Sequence, residues 1–224
     1  MNRVVFDIEP LGFPFDSFDE KQQEYLMKFA KTDEERTEAI QKLALTPLTG
    51  HIIAIGMLNP DSHHGRALFE STTQDFFTSD DGMVEYVSAS EKDMLEEFWK
   101  TIVQFSQFIT FNGRSFDCPY IMLRSAMLGV KPTRNLIPYR YSFQEHCDLL
   151  EQLTFYNAFR KFNLDFCCKS FGIKSPKSEG ITGLDLGPLF EAGRFREIAE
   201  YCMGDVKATA ELYFHWLNYL AFEK

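Results

Sequence analysis

No stretch of this chain is apolar enough to cross a bilayer. The longest apolar run, Ile52–Leu58, falls far short of the ~20 residues a membrane helix needs. The start also lacks a secretory leader, because Arg3-Val4-Val5-Phe6-Asp7 meets an acid after three apolar residues. With Met1 in first place, the sequence is expected to be an unprocessed cytoplasmic protein with no membrane contact. Cysteine is scarce and odd in number: there are five, with no C-x-x-C spacing, which argues against a disulfide framework or a structural zinc site. Thirteen Gly and nine Pro among 224 residues are too few for a fibrous or low-complexity chain. A basic excess is missing as well. Lys and Arg number 23 against 33 Asp and Glu, a net charge of −10, where nucleic-acid-binding domains are usually positive.

What is present suits a folded globular domain. A 45% hydrophobic content excludes disorder, and the length suits one domain carrying an insertion. The charge is unevenly spread. Residues 61–100 hold ten acids and three bases, whereas residues 101–182 hold ten bases and six acids.

Val4, Val5, Phe6 and Ile8 predict a buried strand that ends at Pro10. Residues 11–46 read as a helical insertion. Two short helices are expected there, opened by the capping-box patterns Ser17–Glu20 and Thr32–Glu35. His51–Leu58 and Arg66–Glu70 read as strands joined by the turn Asn59-Pro60-Asp61. Ser90 opens an amphipathic helix with apolar face Met94, Leu95, Phe98, Trp99, Ile102 and Phe105. Phe108–Phe111 is a fourth strand, stopped by Asn112-Gly113. Helix dominates after Pro119, most clearly over Arg194–Leu220. Strands first and helices later point to an α/β or α+β sheet with helices packed on it.

Asp7 and Glu9 lie two apart on the first strand, so their side chains share a face while Phe6 and Ile8 point away into a core. Two adjacent carboxylates inside a sheet repel unless a cation compensates, and a hard divalent metal such as Mg²⁺ prefers oxygen ligands. Asp117 follows the Asn112-Gly113 turn and precedes Pro119. There it could cap a helix, face a crevice, or do both. Tyr201 and Asp205 are one turn apart on a single helix face. Asp205 borders a core stripe where a carboxylate needs a partner; a plain boundary Asp beside a packed Tyr would look the same.

Taken in order, Asp7-Ile8-Glu9, Asn112-x-x-x-Phe116-Asp117 and Tyr201-x-x-x-Asp205 resemble the three exonuclease motifs of the DEDD superfamily, whose fold is ribonuclease H-like. The second motif resembles that of the 3′→5′ exonuclease domain of family B DNA polymerases. With no polymerase region following, the chain looks most like the stand-alone predicted exonucleases related to that domain. Tyr201 stands four before Asp205 and Glu200 five before it, which matches the tyrosine branch (DEDDy) and not the histidine branch. The 11–46 insertion is longer than the family pattern leads one to expect.

The resemblance implies a catalytic set of Asp7, Glu9, Asp117, Tyr201 and Asp205. Asp7, Glu9, Asp117 and Asp205 would hold two divalent cations, Mg²⁺ or Mn²⁺, and Tyr201 would orient the attacking water and help to deprotonate it. Asn112 and Phe116 would touch the substrate, the 3′ end of single-stranded DNA or RNA. Arg114, Arg124, Arg160, Lys161, Lys169, Lys174 and Lys177 are candidates for a phosphate groove. A catalytically silent binding domain of the same fold is the rival reading, and a four-carboxylate endonuclease, which would not need Tyr201, is another. His63-His64 reads as polar surface, and Cys167-Cys168 as inert core. His146-Cys147-Asp148 point apart along one element, with Asp148 opening a helix. Gly180, Gly183 and Gly187 match no phosphate-binding spacing.

Overall fold

A computed structural model describes residues 2–174 and 180–222. Seven strands form one mixed sheet in the order β4-β5-β3-β2-β1-β6-β7. They are β1 (Arg3–Gly12), β2 (Gly50–Leu58), β3 (Gly65–Phe69), β4 (Phe76–Thr78), β5 (Val84–Ser88), β6 (Gln107–Thr110) and β7 (His146–Asp148). The β1, β2 and β3 strands form an antiparallel meander, while β6 runs parallel to β1, and β7 parallel to β6. The α/β class expected from the sequence is what is observed.

Alternation along β1 divides the core in two. Val5 packs on one face with the long helix α8 (Phe195–Tyr219), beside α7 (Leu186–Glu191). Val4, Phe6 and Ile8 pack on the other face with α3 (Glu91–Ile102) and α4 (Asp117–Met127). By the same period of two, Asp7 and Glu9 project toward α8. Ser90 caps α3 by accepting from the Asp93 amide at 3.3 Å. Of the six predicted positions, Met94, Leu95, Phe98, Trp99 and Ile102 are buried, while Phe105 lies past the end of the helix and is half-buried.

Several expectations need correction. Pro10 does not end the first strand. A register shift between Glu9 and Pro10 lets β1 continue to Gly12, because a bulge accommodates a residue with no amide hydrogen. The insertion therefore spans 13–49 instead of 11–46. It carries α1 (Glu20–Leu26) and α2 (Asp33–Gln41). Thr32 and Glu35 form the expected capping box, but at α1 the box is Asp19 with Gln22, not Ser17 with Glu20. The short strands β4, β5 and β7 are not legible in the sequence, since three to five residues give too little alternation to read. The region after Pro119 is less helical than expected: 128–145 is irregular, and α5 (Leu149–Leu153) and α6 (Leu164–Ser170) are short. Among the described residues, no helix is long and apolar enough to cross a membrane.

Candidate active site

Three separate parts of the chain meet over the centre of the sheet. The β1 strand pairs with β6 only through Arg3–Val5, so its edge toward β6 is open beyond that point. Asp117, the first residue of α4, fills the opening, and its Oδ1 accepts a hydrogen bond from the Ile8 amide at 3.1 Å. The N-cap position itself is taken by Phe116. Asp117 is thus locked to the strand between Asp7 and Glu9, and it is buried.

The turn that delivers Asp117 is fixed from below. Asn112 adopts a left-handed φ of 66°, which Asn tolerates better than most residues. A Cβ on Gly113 would lie 2.4 Å from Thr110 Oγ1, so only glycine fits there. Asp148 accepts from the amides of Asn112 at 3.1 Å and Arg114 at 2.9 Å, and also caps α5 through the amides of Leu150 and Glu151. Phe116 is partly exposed, its ring 5.6 Å from that of Tyr120.

The third part is the middle of α8, which carries Tyr201 and Asp205. It approaches the sheet at Gly56, the residue opposite Asp7 in the ladder. A Cβ on Gly56 would lie 2.9 Å from Val206 Cγ2 and 3.2 Å from Cys202 Sγ. The Cys202 thiol donates to the Asp7 carbonyl at 3.6 Å, which pins the helix turn to the strand. Gly56 was not singled out from the sequence, although a glycine inside an apolar strand is a sign of close backbone approach.

The electrostatics of the cluster are those of acids crowded together. Burial pushes Asp7 well above the usual carboxylate range, and the charges of Asp117, Glu9 and Asp205 add to it. Burial pushes Asp117 up to about 7, hydrogen bonds from its own amide and that of Ile8 pull against this, and Asp148 and Asp205 raise it further. Burial also raises the Tyr201 phenol, followed by the charges of Glu9, Asp205 and Asp7. The phenol therefore stays protonated at neutral pH. All five predicted residues are brought together.

Ligand atoms of Asp7, Glu9 and Cys202 lie within 4.8 Å of one another. Burial holds the Cys202 thiol in its neutral form, and it is occupied with the Asp7 carbonyl. The usable donors are therefore carboxylate oxygens, a set that fits a hard divalent cation. A cavity of about 560 Å³ opens beside Tyr201, lined also by Tyr86, Lys174 and Lys207.

Two of the expected groove cations do not face solvent. Arg124 is buried and makes a two-pronged pair with Glu91 at 2.8 and 2.7 Å. Arg114 lies 3.2 Å from buried Glu151 and donates to the Pro138 carbonyl. Both are structural, because a guanidinium can reach two acceptors at once and survive burial. Arg160, Lys161, Lys169 and Lys174 are exposed, and Lys177 lies outside the described residues.

The mixed sheet with a carboxylate cluster on its interior strand β1 defines the fold class. The fold is similar to part of the family B DNA polymerase of the hyperthermophilic archaeon Pyrobaculum calidifontis. The TM-score is 0.61 at 17% identity, over 96% of this chain and 24% of that one. In sequence, the chain is 24% identical over 218 residues to DNA polymerase 1 of Sulfurisphaera ohwakuensis, which covers 83% of this chain and 25% of that protein. DNA polymerase 1 of Sulfolobus acidocaldarius is 36% identical over 56 residues, 25% of this chain and 6% of that protein. The chain thus spans at most about a quarter of the length of these relatives. Over residues 51–223 it matches the predicted 3′→5′ exonucleases related to the exonuclease domain of PolB, and it belongs to that family. The matched range includes Asp117, Tyr201 and Asp205, while Asp7 and Glu9 precede it.

Proposed function

We propose that this protein is a metal-dependent 3′→5′ exonuclease of the DEDDy type, removing nucleotides from the 3′ end of single-stranded DNA or RNA. The observation that carries the reading is the convergence of Asp7 and Glu9, Asp117, and Tyr201 and Asp205 from three distant segments into one buried acidic cluster. Residues 1–224 act in this reading as one exonuclease domain, with 13–49 as an insertion.

Asp7, Glu9, Asp117 and Asp205 would hold divalent cations, Mg²⁺ or Mn²⁺, whose charge would serve both the attacking and the leaving oxygen of an in-line displacement. Tyr201 keeps its proton among the surrounding acids. While it keeps that proton it is a hydrogen-bond donor that orients the attacking water. Asn112 and Phe116 lie on the turn that positions Asp117, where they would contact the terminal nucleotide. The Ile8–Asp117 bond keeps that contact in register with Asp7 and Glu9, so a small error at the turn would be felt at the reacting phosphate.

The test uses 5′-labelled DNA and RNA oligonucleotides with Mg²⁺, Mn²⁺ or chelator. A ladder shortened stepwise from the 3′ end, abolished by chelator and by Asp7→Ala, is expected. Internal cuts, cleavage that survives chelation, or more than a few percent of activity in Asp7→Ala would overturn the reading. Tight binding without any cleavage would instead favour the catalytically silent domain.

A further inference from the structure

We infer that the exposed aromatic and basic surface of residues 139–169 is the track on which single-stranded nucleic acid lies as its 3′ end enters the acidic cluster; this rests on the exonuclease reading. Large rings are usually buried, and a cluster left in water marks an interaction site. Here Tyr139 is 73% exposed, Tyr141 61%, Phe155 59% and Phe159 65%, with Phe162 and Phe166 exposed beside them. The rings are organised. Tyr141 lies edge-on between Tyr139 at 5.8 Å and Tyr156 at 4.9 Å, and Phe162 stacks on Phe166 at 4.3 Å. Three consecutive left-handed residues, Phe155, Tyr156 and Asn157, turn the chain sharply after α5.

Charge selects the occupant. Arg140, Arg160, Lys161 and Lys169 are interleaved with these rings and exposed. The Arg160 guanidinium lies 5.1 Å over the Phe162 ring, and among the described residues no acid pairs with Arg160 or Lys161. Ring faces for bases alternating with cations for phosphates are the requirements of a single strand. A protein partner would instead favour a surface depleted in Lys.

The surface is also continuous with the site. Arg140 pairs with Glu151 at 2.7 Å, Glu151 with Arg114 at 3.2 Å, and Asp148 holds the amides of Asn112 and Arg114. Tyr139–Tyr141 are therefore anchored to the turn that carries Asp117. The strands of the basic segment, β6 and β7, lie at one end of the sheet and those of the acidic 61–100 segment, β3, β4 and β5, at the other, so a strand of phosphates is drawn toward the β7 edge.

The experiment measures fluorescence anisotropy of a twelve-nucleotide oligothymidylate and oligouridylate on the full chain, with chelator present so that nothing is cleaved. Tyr141→Ala and Phe159→Ala should each raise Kd about five- to 150-fold, with Phe159→Trp close to wild type and thermal melts unchanged. With Mg²⁺, the cleavage defect should grow with substrate length from a dinucleotide to the twelve-mer. Wild-type affinity in both Ala variants would overturn the proposal, as would a defect independent of length. Loss of self-association in sedimentation with unchanged oligonucleotide affinity would also overturn it and assign the face to a second copy. If wild type binds as expected but cleaves neither substrate, the exonuclease reading fails while the track stands.

Discussion

An ionised Asp7 sits beside Asp117, Glu9 and Asp205, and each ionised neighbour raises the cost of the next. The folded pKa values of Asp7 and Asp117 lie above their unfolded values, that of Asp117 near 7. The folded state therefore holds more protons than the unfolded state between roughly pH 4 and 7. Their contribution to stability is complete below the unfolded pKa and is lost as pH rises through the folded one. Metal-free protein should accordingly melt several degrees lower at pH 8 than at pH 5.5 once the opposite effect of His146 is subtracted. Burial depresses that imidazole to about 3, so it favours the higher pH. Asp117→Asn should flatten the acid-cluster component, and Mn²⁺ at pH 8 should raise Tm in wild type but much less in Asp7→Asn. Calorimetry across pH, with and without Mn²⁺, checks this; a Tm indifferent to the cation in wild type would remove the metal site. The pairing of Asp7 with Glu9 was legible because strand alternation is local. The height of the Asp117 pKa was not, because it depends first on the burial that the packed fold imposes and then on Asp148 and Asp205, distant in the chain.

At the scale of elements, the site depends on how closely α8 approaches β1 and β2. Gly56 permits that approach by having no side chain, and Cys202 and Val206 fill the space a Cβ would need. Gly56→Ala should push α8 outward at the turn carrying Tyr201 and Asp205. Overpacking of this kind costs about 1–3 kcal/mol, and activity should fall well beyond what the reduced stability accounts for. Melting curves and kcat at a temperature where the variant is fully folded measure both; unchanged kcat would show that the helix position is not critical. The helix was plain in the sequence because its apolar stripe spans six turns. Its place on the sheet was not, because the approach of residue 202 to residue 56 leaves no periodic trace.

For the whole molecule, a net charge of −10 would suggest weak attraction to nucleic acid, yet charge acts locally at distances near the Debye length, about 8–10 Å in physiological salt. The sheet order separates the acidic and basic segments onto opposite sides of the central strand. Binding of single strands should therefore be strongly salt-dependent despite the negative total. Replacing Arg160 and Lys161 together with Ser should reduce the slope of log Kd against log salt by about 1.4, or ~0.7 for each phosphate no longer neutralised. Anisotropy titrations from low to moderate salt give the slope directly; an unchanged slope would place the phosphates elsewhere.

The amino-acid order alone determined the apolar first strand, the amphipathic helix after Ser90, the long last helix, and the pairs Asp7/Glu9 and Tyr201/Asp205. All of these follow from side-chain periods of two and 3.6 within one element. Tertiary structure decided what no local period encodes. It brought Asp117 onto the Ile8 amide at the open edge of β1, turned Arg114 and Arg124 inward as structural partners of Glu151 and Glu91, and carried β1 through Pro10 by a bulge. It also chose which aromatics stay in water. Sequence shows 23 Phe without ranking them, because burial depends on which faces the sheet and helices leave uncovered once packed.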